Sequence, residues 1–186
     1  MIQFSTPREK RLWIWSLLIS ITIFLSLFLG KPLQHQLRDQ NVQAIIFVLG
    51  MLFVGVTILI HGLRSKPGRF QFTILIGVMA VYVMFFLRLG APERSHLIEY
   101  SVLAIFIHSA LQERTKVQGV QKLKQALGAF LITFSIGVID ESIQLFLPNR
   151  VFDPQDILFN GIVTSFAIGT SLLLNWIRER VKSKAN

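Results

Sequence analysis

The chain of 186 residues contains no cysteine. Disulfides, thiolate nucleophiles, iron–sulfur clusters and cysteine-ligated zinc are therefore excluded together. Charge is also scarce: only 16% of residues are Asp, Glu, Lys or Arg, against about a quarter in an ordinary soluble domain. Ten acidic residues face nineteen basic ones, a formal net charge of +9. Gly-x-Ser-x-Gly and His-Glu-x-x-His are absent, so neither a hydrolase elbow nor a zincin helix is present. What the sequence has in excess is apolar residues, 52% of the total with 16 Phe and a mean hydropathy of +0.57.

The apolar residues come in blocks of membrane-spanning length, since a helix rising about 1.5 Å per residue needs about 20 residues to cross the hydrocarbon. Leu12 to Gly30 runs 19 residues without a charge, Phe70 to Leu87 runs 18 and Ile157 to Ile177 runs 21. Val42 to Leu63 is interrupted only by His61. Leu97 to Leu111 carries Glu99 and His108, and Ala126 to Leu147 carries Asp140 and Glu141. The pattern predicts an all-α polytopic membrane protein: a single integral domain over 1–186, six transmembrane helices, and both termini cytoplasmic.

Counting basic residues by loop supports that topology. With six spans and the N-terminus inside, fourteen Lys and Arg fall on the inner side and five on the outer. The positive charge is then a topology signal and not a nucleic-acid footprint, because four short inner segments share it and none interleaves aromatics. Pro7-Arg8-Glu9-Lys10-Arg11 resembles the basic region of a signal peptide, but the apolar run is long and no small-x-small cleavage site follows, so an uncleaved first span is expected.

The acids distribute the other way. Seven of the ten lie in the predicted outer loops or outer halves of spans: Asp39, Glu93, Glu99, Asp140, Glu141, Asp153 and Asp156. An ionisable group near the centre of a span costs about 2.5–3.5 kcal/mol, so such groups face a bundle interior or an aqueous cavity. Helical spacing puts His96, Glu99 and Tyr100 on one face, and Asp140, Glu141 and Gln144 on another that continues inward through Gly137 and Thr133. Asp153 followed by Pro154 is a helix-start signal, so a capping role competes with a functional one there. Gly161, Ser165 and Gly169 form a small-residue stripe expected to let helices approach closely.

Three segments carry a family resemblance: Glu93-Arg94-Ser95-His96-Leu97-Ile98-Glu99-Tyr100, Asp140-Glu141-Ser142-Ile143-Gln144, and Pro148-Asn149-Arg150-Val151-Phe152-Asp153-Pro154-Gln155-Asp156 leading to Asn160-Gly161. Over about residues 90–170 the chain resembles the VanZ-like family of membrane proteins. The family pattern is His with Tyr four residues on, Asp-Glu-x-x-Gln, a spaced Arg and Asp, then Asp with a later Asn-Gly. Every position is filled, and Glu99 departs from the smaller or apolar residue of many members. The resemblance implies a bacterial cell-membrane protein, and its namesake is linked to resistance to teicoplanin, a lipid-tailed glycopeptide.

The combined reading is a cell-envelope protein with an outward-facing polar site that binds or modifies a lipid-linked or wall-related substrate. His96, Glu99, Asp140 and Glu141 are the candidate catalytic residues, with His96 as acid or base because it alone of four histidines sits with the acids. Arg94, Tyr100, Gln144, Arg150, Asp153, Asp156 and Asn160 are the candidate substrate-binding residues. Membrane lipids are the expected partners, nucleic acid is not, and the oligomeric state is left open. No cofactor is required. His96 with the carboxylates offers donors for a divalent metal, though without diagnostic spacing. A proton-coupled transporter, or a structural protein with Asp140–Arg150 and Glu99–Arg94 as charge locks, are the alternatives.

Overall fold

The structure is a computed structural model, and it describes residues 4–37, 91–116, 121–148 and 150–185, with positions 73, 76, 77, 79–81, 83 and 84; side chains at 29–37, 91–95, 178 and 181–185 are outside the description. The expected spans at 42–63 and 70–87 thus fall mostly outside it. The described part is all-helical: α1 (Pro7–Leu37), α2 (Ala91–Thr115), α3 (Lys122–Gln144) and α4 (Pro154–Ala185), with the described positions at 73–84 also helical. The chain divides into two units, Met1–Leu27 with Phe85–Asn186, and Phe28–Met84. The first unit holds everything that follows.

Local sequence sets the helix starts. Thr6-Pro7-Arg8-Glu9 opens α1 as a capping box with Pro at its first position. The Glu9 N–H donates to Thr6 Oγ1 at 3.0 Å, and the Glu9 carboxylate accepts the Ser5 N–H at 2.6 Å. The basic stretch that resembled a signal-peptide region is thus the first turn of a capped helix. Asp153 caps α4, its Oδ1 accepting the Gln155 N–H at 2.8 Å with Pro154 at the first helical position. Helix α3 ends without a basic residue in its last turn, leaving Asp140 and Glu141 near its C-terminus.

Three helices are long and apolar enough to cross a membrane: Pro7–Phe28, Lys122–Gln144 and Pro154–Ile177, of 22, 23 and 24 residues. Helix α2, 25 residues long, is more polar. The distribution of side chains differs from that of a soluble bundle: the core mixes apolar residues such as Leu103, Ile107 and Val163 with polar ones, and large apolar residues also cover the outside. Leu17, Leu25, Phe28, Leu127, Leu131 and Leu158 stand outward, while Ser101, His108, Thr133, Asp140, Glu141, Asn160 and Thr164 are buried. In water such an arrangement would expose apolar area and desolvate polar groups at once. Surrounded by hydrocarbon it is the ordinary arrangement, because polar groups have no better place than the interior.

Helices α2, α3 and α4 pack on one another as a three-helix core. Their direction is read from cross-links: His108 meets Ser171 and Gln112 meets Asn175, both with a separation of 63 residues. A constant offset means α2 and α4 run parallel in fixed register, with α3 antiparallel between them. Helix α1 begins beside the end of α2, where Glu9 is fully buried, receives the Trp13 indole N–H at 3.3 Å and faces Arg114 at 3.9 Å. Further along α1, Trp15 lies against Phe106 with ring centroids 6.5 Å apart. The N-termini of α2 and α4 and the C-terminus of α3 therefore meet at one end of the core.

Of the expected small-residue stripe only Gly161 meets a neighbouring helix closely, a Cβ there lying 3.2 Å from Phe134 Cε2 of α3. A Cβ at Gly169 would meet nothing within 4 Å, and Ser165 is exposed. The other close approach is at Gly137 of α3, where a Cβ would lie 3.2 Å from Tyr100 Cε1 of α2 and 3.3 Å from Asn160 Cβ and Nδ2 of α4. Spacing alone could not distinguish these, since both runs repeat small residues at four-residue intervals and only the packing shows which face meets a neighbour.

Candidate functional site

At the end where the three helices meet, α2 supplies His96 and Tyr100, α3 supplies Asp140, Glu141 and Gln144, and α4 supplies Asn160. His96, Asp140 and Glu141 each place one nitrogen or oxygen ligand atom within 4.8 Å of the other two. The Tyr100 hydroxyl donates to Asp140 Oδ2 at 3.0 Å, and the Gln144 amide donates to Glu141 Oε1 at 2.7 Å. The His96 and Tyr100 rings stack at 5.8 Å with 13° between planes, which follows from their four-residue spacing on one helix face. Both carboxylates are buried, Asp140 at 2% and Glu141 at 0% exposure.

Each carboxylate thus has one oxygen oriented by a neutral side-chain donor and one oxygen that makes no hydrogen bond, with the Asp153 backbone N–H directed toward Glu141. Asp140 Oδ1, Glu141 Oε2 and His96 Nδ1 are all buried without a hydrogen bond, as are both polar atoms of the Asn160 side chain. Leaving a buried polar atom unpaired costs about 1–3 kcal/mol, more for charged groups. Four residues doing so in one place form a cluster of unpaired polar atoms of the kind that ligands, protons or ions satisfy. Ser101, Thr133 and Thr164 also carry unpaired buried hydroxyls and extend the polar interior from this end. Sequence spacing pointed to Thr133, but Ser101 and Thr164 carried no signal beyond their positions in apolar runs.

The remaining candidates surround this group without joining it. Glu99 is half-buried and within electrostatic reach of Asp140 and Arg150. Asp156 is half-buried and acts on both Asp140 and Glu141. Asp153 spends its side chain on capping α4, and its backbone N–H is directed at Glu141. Arg150 turns toward α1: its Nη2 donates to the Ser26 carbonyl at 2.9 Å and its Nε to the Leu27 carbonyl at 3.5 Å. The Asp140–Arg150 lock is accordingly not formed. Among the described residues neither Asp140 nor Glu141 has a Lys or Arg nitrogen within 4.0 Å. The Arg94 side chain, and with it the Glu99–Arg94 pair, lies outside the described residues.

A second polar rung crosses the core about eight residues further along α2. His108 is fully buried, with Nδ1 3.0 Å from Ser171 Oγ and Nε2 3.2 Å from the Gln112 amide nitrogen. The Gln112 amide donating to Nε2 makes Nδ1 the protonated nitrogen and Ser171 its acceptor, and Asn175 donates to Gln112 Oε1 at 3.4 Å. His108 thus serves a packing role, as the hydrogen-bonded centre of this rung. His61 lies outside the described residues.

No protein-family model, curated protein or solved structure matches the chain. What the fold and site define is an all-helical protein with three helices suited to a membrane and a buried, under-satisfied His/Asp/Glu group where three helix ends converge. The VanZ-like resemblance is carried by the residues of that group and enters below as a proposal.

Proposed function

We propose that the chain is a VanZ-like integral protein of a bacterial cell membrane, with six spans and both termini cytoplasmic. In this reading the His96–Asp140–Glu141 group opens to the outer face and binds or modifies the head group of a lipid-linked, wall-related substrate. The observation that carries the proposal is the convergence of half-buried His96 with buried Asp140 and Glu141, each with a buried unpaired atom, at one end of a bundle whose outer surface is apolar. Such a site accepts a polar head group while the surrounding Leu, Ile and Phe faces accept acyl chains. His96 is the group suited to move a proton near neutral pH. Tyr100 and Gln144 orient the two carboxylates, and Asn160 supplies a donor and an acceptor with no competing partner.

The transporter alternative would require a polar path along the bundle. On α4 the polar face runs Asn160, Thr164, Ser171 and Asn175, but the seven-residue interval between Thr164 and Ser171, about 10 Å of helix, is filled by buried Ala167 and Ile168, with buried Ala104 at the same register of α2. That apolar layer favours a site of one level over a conduction path. The structural alternative is weakened by Arg150, which is spent on α1 carbonyls.

The test is expression of the wild type and of His96→Gln, Asp140→Asn and Glu141→Gln in a glycopeptide-susceptible bacterium. Lipid-linked wall precursors and envelope lipids are then measured by mass spectrometry beside teicoplanin susceptibility. The wild type should change the precursor or lipid profile and each variant should lose that change at equal folded abundance. A profile identical between wild type and variants, at equal abundance, refutes the site. Proton flux in liposomes that depends on Asp140 would replace the proposal with the transporter.

A further inference from the structure

Two buried carboxylates near the C-terminus of a helix are in an electrostatically poor position, because that end of the helix dipole favours cations. Helix α3 has no basic residue in its last turn to offset them. Asp156 and Asp140 add negative potential at Glu141, and Glu99 faces Asp140. Arg150, the one described guanidinium within electrostatic reach of Asp140, has its donors on α1 carbonyls. The group is short of positive charge.

The arrangement of free atoms says what would supply it. On each carboxylate one oxygen is held by an outer side-chain donor, Tyr100 on Asp140 and Gln144 on Glu141, and the other makes no hydrogen bond, with the Asp153 backbone N–H directed toward Glu141. Metal-ligating carboxylates are oriented by outer hydrogen bonds in this way. His96 adds a bare ring nitrogen, Nδ1. The fully buried and unpartnered Asn160 side chain lies beside Gly137, one turn before Asp140, as the Tyr100 ring does.

We propose that His96, Asp140 and Glu141 bind one divalent transition-metal ion, with a coordination position left open to the substrate. One imidazole and two carboxylates form a mixed nitrogen and oxygen set that suits zinc, with manganese next, whereas magnesium and calcium prefer oxygen alone. Ligand atoms at about 2.0–2.2 Å from an ion stand about 3–3.5 Å apart, so side chains whose donors already lie within 4.8 Å close on it by small torsional changes. Three protein ligands and an open position are the arrangement of catalytic zinc sites, in which the ion polarises a substrate oxygen or activates water. The inference rests on the proposed function for the location of the site and for the substrate, not for the binding of the ion.

The test uses the full chain, purified in detergent without a polyhistidine tag, loaded with zinc or manganese and desalted, with metal content read by mass spectrometry. About one ion per chain is expected for the wild type and about a tenth of that or less for His96→Gln, Asp140→Asn and Glu141→Gln. Glu99→Gln, which leaves all three ligands, should retain it. Where a ligand variant does not fold, cobalt loading of the wild type serves instead, with visible d–d absorption of an imidazole- and carboxylate-bound ion expected. Wild-type protein that retains neither zinc nor manganese and shows no cobalt spectrum overturns the proposal, as does full occupancy in a folded variant lacking all three ligands. A metal-free wild type that still alters envelope lipids through His96 overturns the ion alone. Stoichiometric binding with no envelope effect overturns the functional reading alone.

Discussion

Gly137→Ala is the substitution whose outcome follows most directly from the packing. The added methyl carbon would stand 3.2 Å from Tyr100 Cε1 and 3.3 Å from Asn160 Cβ and Nδ2, on two different helices. The Tyr100 ring is held by its hydrogen bond to Asp140 and its stack on His96, and a Cβ cannot rotate away from its own backbone. Relief therefore requires a shift of α2 or α4 by a few tenths of an ångström, and overpacking of this kind costs about 1–3 kcal/mol. Alanine's better helix propensity returns about 1 kcal/mol, leaving a net loss of about 0–2 kcal/mol. Gly169→Ala is the matched control: its Cβ meets nothing, so only the propensity gain, up to about 1 kcal/mol, remains. The propensity gain is common to both, so thermal unfolding in one detergent, followed by circular dichroism, should separate the two variants by the overpacking cost alone, about 2–12 °C at about 2–4 °C per kcal/mol for a chain of this size. Equal midpoints, or a Gly137→Ala protein more stable than the wild type, would refute the placement of Gly137 at the three-helix contact.

Tyr100→Phe removes the donor to Asp140 Oδ2 and leaves both oxygens of that buried carboxylate unpaired, so a loss of about 1–2 kcal/mol with an unchanged helical spectrum is expected. Glu9→Ala strips partners from the Ser5 and Trp13 N–H groups and opens the capping box of α1. It should cost about 1–3 kcal/mol by thermal unfolding, and a neutral result would remove Glu9 from the α1–α2 junction. The exposed Lys122–Glu179 pair at 2.6 Å joins α3 to α4 where water and salt screen it, and Glu179→Gln should change stability by less than about 0.5 kcal/mol. Glu113 is held below the ordinary carboxylate range by the Lys116 ammonium beside it. Its contribution is therefore present above the unfolded value of about 4.3 and lost as pH falls through the lower folded value. Glu113→Gln should flatten that acid limb of a melting-temperature profile, and an unaltered limb would show that the pairing does not persist in solution.

The helical class and three of the long apolar helices were legible because chain length and charge exclusion act locally: an uncharged run of about 20 residues has few other stable states. Helix starts were legible for the same reason at Asp153-Pro154, and the Thr6-Pro7-Arg8-Glu9 spacing was there to read beneath a resemblance to a signal region. The grouping of His96 and Tyr100, and of Asp140, Glu141 and Gln144, also followed from the 3.6-residue period, which holds for any helix. Which faces then meet is a property of three helices at once. Only the packing decided that Gly137 and not Gly169 is a close contact and that Arg150 turns to the carbonyls of α1 and away from Asp140. The Asp153 cap, by contrast, is a local bond to Gln155 that the sequence already offered, whereas the packing decided that His108 binds Ser171, 63 residues away, in a rung that no local pattern announces. The sequence by itself determined which residues each helix would present on its polar face. The tertiary structure determined which of those faces were left facing one another with polar atoms unmatched, because hydrogen-bond satisfaction depends on neighbours that lie far apart along the chain.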